Sequence, residues 1–131
     1  MIQNVLRYLT RNPRALLWTW ALITTAALLL TLFPADYVTQ SKLWTYDKLG
    51  HLILFGSWTF LLGLYQQVRQ PGNPKLLYIF LLGVLFGGLI EILQYLLPVN
   101  RHADLFDFGF DVTGALGAIL LLKILPFPTG D

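Results

Sequence analysis

The sequence predicts an all-α fold: a four-transmembrane-helix bundle with both termini cytoplasmic and a short N-terminal interfacial helix. Three observations carry this expectation. Of the 131 residues, 56% are hydrophobic and only 12% are charged. Four apolar stretches each approach the ~20 residues that cross a hydrocarbon core about 30 Å thick. None of them alternates with period two, as the strands of a membrane barrel do. The chain, residues 1–131, therefore reads as a single membrane domain.

Each element follows from local pattern. In residues 1–14, Ile2, Val5, Leu6 and Leu9 recur at helical spacing, with Arg7, Arg11 and Arg14 elsewhere on the wheel. Such a segment suits a membrane surface. The first span is expected at residues 15–33. It is read as a retained helix, because its apolar run is long and Leu32-Phe33-Pro34-Ala35 lacks a small-x-small cleavage pattern. A loop at 34–48 carries Trp44 and Tyr46, side chains that favour the interface. The second span covers 49–65 and stops before the breaker Pro71-Gly72-Asn73-Pro74. The third covers 76–97 and ends at Pro98; the fourth covers 105–125 and ends at Pro126.

Basic residues set the expected orientation. Arg7, Arg11, Arg14, Arg69, Lys75 and Lys123 fall on one side, and Lys42, Lys48 and Arg101 on the other. The richer side is placed in the cytoplasm. The net charge of +2 is thus explained by topology, and no nucleic-acid partner is expected. With no cysteine, disulfides and thiolate metal sites are excluded.

Small residues mark close helix approaches. Gly83-x-x-x-Gly87, with Gly88 beside it, lies on the third span, and Gly114-x-x-x-Ala118, with Gly117 between, on the fourth. Packing inside one bundle is the first reading and a homodimer face the second.

The informative residues are polar. Glu91 and Asp111 interrupt stretches that otherwise read as lipid-soluble. A charge near the middle of a spanning helix costs roughly 2.5–3.5 kcal/mol on insertion scales. At about 1.5 Å per residue, Glu91 lies roughly 22 Å above the start of its span. Asp47 and His51 are i, i+4, as are Asp107 and Asp111, whereas Glu91 and Gln94 are i, i+3, so each pair shares a helix face. Three helices thus present polar stripes at one depth, near the outer interface, and Lys48 stands at the mouth of the second span. The expectation is a pocket of Asp47, Lys48, His51, Glu91, Gln94, Asp107 and Asp111, with Arg101 hanging over it from the loop. Asp47 is expected to fix the His51 tautomer. His102 and Asp104, alone, read as solvated loop residues.

These residues resemble a known pattern. Asp47-Lys48-x-x-His51 resembles the D-K-x-x-H signature of VanZ-like membrane proteins. Gly88-x-x-Glu91-x-x-Gln94 is similar to their G-x-x-E-x-x-Q helix. Pro98-x-x-Arg101, followed by Asp107-x-x-x-Asp111-x-x-Gly114, resembles their P-x-x-R and D-x-x-x-N-x-x-G close. The match runs in order through residues 47–117. Asp111 departs from it, standing where the family more often has Asn. The resemblance implies a small multi-pass protein of the bacterial cytoplasmic membrane, linked to the cell envelope and, for the founding member, to low-level teicoplanin resistance. It implies no reaction.

Function is accordingly expected to be recognition of an envelope lipid, a lipid-linked precursor or a glycopeptide-like headgroup. Lys48 and Arg101 would hold phosphate or carboxylate, and Glu91, Gln94 and the aspartates would take hydroxyl, amide or ammonium groups. The alternative expectation is an embedded enzyme. There, His51, Glu91, Asp107 and Asp111 could hold a divalent metal for phosphoester or acyl chemistry, or His51 could act as base and Glu91 as acid. Ser41 and Ser57 lack the context of a nucleophile. A proton path is disfavoured, because no comparable groups occupy the other half of the spans.

Overall fold

Why each helix begins and ends where it does is largely a matter of single residues. A computed structural model describes residues 2–34, 47–100 and 102–125. These residues form five helices in order: α1 (Ile2–Arg11), α2 (Pro13–Leu32), α3 (Asp47–Arg69), α4 (Leu76–Leu96) and α5 (Leu105–Ile124). There is no strand among the described residues. Pro13 separates α1 from α2. It has no N–H to continue the first helix, and its fixed φ suits the first position of the next. Gly72, at φ 89°, turns the chain between α3 and α4. Asp104 caps α5 by accepting the Phe106 N–H at 2.8 Å.

The expected spans correspond to α2–α5 within a few residues at each end, apart from α3, which runs two residues further at its start and four at its end (Asp47–Arg69 against 49–65). Three of these helices, Pro13–Leu32, Leu76–Leu96 and Leu105–Ile124, are long and apolar enough to cross a membrane. The 23-residue α3 falls outside that set. His51, Ser57, Thr59 and its terminal glutamines lower its mean hydropathy. Its position explains how it tolerates them, since α3 packs against α2, α4 and α5 and lies closest to α5.

Two glycines make that closest approach. A Cβ on Gly114 would meet the backbone carbonyl of Leu52, and one on Gly56 would lie 3.1 Å from the carbonyl of Gly114. Gly83 faces Thr59 and Ala115, and Gly87 faces Asp111. At these positions the small residues pack the bundle internally. Gly117, by contrast, meets nothing within 4 Å.

The inside of the bundle changes character along its length. At the end bearing the α3–α4 turn, Leu16, Leu64, Ile79, Ile119 and Leu122 form an aliphatic core, with Leu9 of α1 packed against it. In the middle the core is aromatic: Trp58 stacks on Phe86 at 4.7 Å and donates to Thr24 Oγ1 at 2.9 Å, and Phe55 leans on Phe86 at 5.4 Å. At the opposite end the buried side chains include the polar His51, Glu91, Gln94, Asp107 and Asp111. The outside carries Leu22, Leu30, Leu85, Leu105 and Ile124 in exposed positions. An apolar exterior over a polar interior is the distribution a lipid solvent selects.

Candidate functional site

The polar end is built by three helices. α3 contributes Asp47, Lys48 and His51 from its first turns, α4 contributes Glu91 from its last turns, and α5 contributes Asp107 and Asp111 from its first two turns. Because α3 and α5 run antiparallel to α4, their opening turns meet its closing ones. The Gly56–Gly114 approach then sets the register of α3 against α5.

His51 and Asp111 form the inner contact. His51 Nδ1 lies 2.8 Å from Asp111 Oδ1, and both residues are buried, Asp111 completely. An ionised Asp111 makes Nδ1 the protonated nitrogen. The tautomer is therefore fixed across helices by Asp111, and the i−4 carboxylate of Asp47 does not take that nitrogen. Phe55 stacks beneath the imidazole at 5.8 Å. Gly87 makes room for the carboxylate, since a Cβ there would lie 2.9 Å from Asp111 Oδ2.

Glu91 joins the same level from α4. Its Oε2 accepts the backbone N–H of Asp104 at 2.9 Å, which ties the end of α4 to the start of α5. One ligand atom each from His51, Glu91 and Asp111 lies within 4.8 Å of the others, and so does a second trio of Asp47, His51 and Asp107. Glu91 also lines a cavity of about 210 Å³, with Gly88, Ala103, Asp104, Leu105 and Phe108.

Lys48 closes the rim. Its ammonium donates to Asp107 Oδ1 at 3.0 Å and to Asp104 Oδ2 at 3.3 Å, and it stands 5.9 Å from the Phe106 ring centre. Expected as a free phosphate ligand, it is instead held between two carboxylates of α5 and its cap. Asp104 lies outside the buried segment, and its carboxyl is held below the usual range. The Phe106 N–H is the largest cause, and the Lys48 ammonium adds to it.

Of the eight expected site residues, Asp47, Lys48, His51, Glu91, Asp107 and Asp111 come together. Gln94 is buried too, but its Nε2 donates to the Thr31 carbonyl at 2.9 Å, so it straps α4 to the end of α2 instead of facing His51. Arg101 lies outside the described residues. Asp104 was missed as a participant. Its signal was present, an aspartate directly before an apolar helical run, the usual signature of a helix cap.

An all-helical bundle with an apolar exterior and a buried acid–imidazole cluster at one end defines a class: a membrane-type helical protein. The particular family is settled by comparison. Residues 15–126 match the VanZ/LLP1 family, and the chain belongs to it. No curated protein and no solved structure matches the chain.

Proposed function

We propose that this protein is a multi-pass component of the bacterial cytoplasmic membrane whose polar end binds the headgroup of an envelope lipid or lipid-linked precursor. In this reading α3 crosses the membrane as a fourth span, enclosed by the other three. Its buried stripe from His51 to Gln67 extends over about 24 Å, close to a hydrocarbon thickness. Both termini then face the cytoplasm, and the polar end opens outward.

The observation that carries the reading is the buried His51–Asp111–Glu91 cluster beside the small cavity that Glu91 lines. Membrane interhelical hydrogen bonds average about 0.6 kcal/mol, too little to offset the burial of two carboxyl groups for packing alone. A ligand that uses those groups supplies a reason for them. With Lys48 engaged by Asp104 and Asp107, the free capacity of the rim is for donors: hydroxyl, amide or amine groups of a sugar or aminoalcohol. An association with the cell envelope, and with glycopeptide response, follows from the family resemblance.

The test is equilibrium binding of short-chain envelope lipids to the purified protein in detergent. Glu91→Gln and Arg101→Ala should abolish binding while helix content and unfolding temperature are preserved. Undiminished binding in both variants would sink the proposal.

A further inference from the structure

Protein partners do not use up the two carboxylates at the centre of the cluster. Asp111 Oδ1 is engaged by His51, but Oδ2 is buried with no hydrogen-bond partner. Glu91 Oε2 accepts from the Asp104 backbone, but Oε1 is likewise buried and unpartnered. Asp111 is 0% and Glu91 8% exposed. A buried acceptor left without a partner carries a full desolvation penalty. Two such buried oxygens call for a positive partner, and the residues that carry them stand together: one ligand atom each of His51, Glu91 and Asp111 lies within 4.8 Å of the others.

We propose that His51, Glu91 and Asp111 form a binding site for one divalent transition-metal ion of the zinc or manganese class. The charge balances: two carboxylates and a neutral imidazole with a divalent ion sum to zero, the state least penalised inside a membrane bundle. The donor set is mixed nitrogen and oxygen. An imidazole favours zinc and its transition-metal neighbours over magnesium and calcium, which prefer all-oxygen shells. Ligand bonds of about 2.0–2.2 Å in a tetrahedral shell place donor atoms about 3.4 Å apart. The trio reaches that by side-chain shifts on the order of an ångström. Two features hold it open. Gly87 lacks the Cβ that would press on Asp111 Oδ2, and Phe55 fixes the imidazole plane.

The second trio, Asp47, His51 and Asp107, is the weaker host. Asp107 is already bound by the Lys48 ammonium at 3.0 Å, which competes with a cation for the same oxygen. In the inner trio the donors on Asp111 Oδ1 and Glu91 Oε2 leave Asp111 Oδ2 and Glu91 Oε1 open to a cation. An ion there would also change what the neighbouring cavity accepts, because an acid-rich wall would gain a centre able to bind a phosphate oxygen. That consequence rests on the headgroup reading; the ion site does not.

The test uses the metal alone, with no lipid ligand. Chelator-stripped protein in detergent is titrated with Zn²⁺ and, separately, Mn²⁺, and bound metal is counted after gel filtration. The expected result is one ion per chain. Glu91→Gln and Asp111→Asn should each weaken binding by more than the roughly tenfold that follows loss of an outer partner. Asp107→Asn and His102→Ala should leave it unchanged. X-ray absorption on the zinc-loaded wild type gives a readout that needs no variant: one imidazole nitrogen with oxygen neighbours at about 2.0–2.2 Å. An all-oxygen shell would overturn the assignment, as would no uptake by folded wild type at micromolar metal. Uptake that survives both Glu91→Gln and Asp111→Asn, or that is lost with Asp107→Asn, would do so equally.

Discussion

The two ends of this bundle are made by the same helices and bury different kinds of polar side chain, neutral amides at one and acids with an imidazole at the other. At the end bearing the α3–α4 turn, Gln67 is buried, and its Nε2 donates to the Leu122 carbonyl at 3.2 Å beside an aliphatic core. There a polar group serves the contact between α3 and α5 and little else. At the other end, His51, Glu91, Asp107 and Asp111 are buried together, and two carboxylate oxygens have no partner. Gln66 and Gln67 each keep a buried, unpartnered Oε1 as well, but those are neutral amide oxygens, whereas the unpartnered oxygens at the other end belong to acidic groups, which cost far more to bury. The aromatic layer of Phe55, Trp58 and Phe86 separates the two regimes.

The comparison breaks most easily at Asp111. Asp111→Ala strands His51 in the core, and removing one partner of a buried pair destabilises by roughly 3–5 kcal/mol. Asp111→Asn keeps an acceptor for His51 Nδ1 and should retain most of that stability while losing the metal affinity. Reversible unfolding in detergent measures both, and equal losses for the two variants would show that charge, and not hydrogen bonding, holds the pair. Next comes Gly114→Ala. Its Cβ meets the Leu52 carbonyl, a backbone atom that cannot step aside, so the α3–α5 register must shift at a cost of about 1–3 kcal/mol. An unfolding temperature unchanged from wild type would remove the glycine contact as the device that aligns His51 with Asp111.

Gln67→Leu sharpens the contrast from the other side. It should cost well under the ~1.7 kcal/mol upper range for a membrane hydrogen bond and leave ligand and metal binding intact. The smallest effect belongs to Asp104→Asn, which keeps a capping side chain but loses the pairing with Lys48. Because the folded state lowers the Asp104 pKa, its contribution is present above the unfolded value of about 3.9 and fades as pH falls through the lower folded value. The difference between Asp104→Asn and wild type should therefore be visible at neutral pH and vanish in acid. A difference independent of pH would assign it to packing.

Much of this architecture is legible in the residues. Prolines and the Pro-Gly-Asn-Pro turn delimit the helices, and i, i+4 spacing puts Asp107 with Asp111 on one face. Spacing cannot reveal which neighbour a face meets. Gln94 shares a face with Glu91, yet the helix rotation that buries Glu91 toward α5 turns Gln94 toward α2 and the Thr31 carbonyl. For the same reason Asp47, correctly placed one turn before His51, yields Nδ1 to Asp111 from another helix. That pairing depends on the Gly56–Gly114 approach, a property of two helices together. The polar content of α3 likewise makes sense only once the other helices surround it.

The central claim is that one end of the bundle binds and the other only packs. Native mass spectrometry of envelope lipids retained by wild type, Glu91→Gln and Gln67→Leu tests it most directly. A lipid retained on wild type and on Gln67→Leu, and lost from Glu91→Gln, is the expected result. Equal retention by all three, or loss from Gln67→Leu with retention by Glu91→Gln, would contradict it.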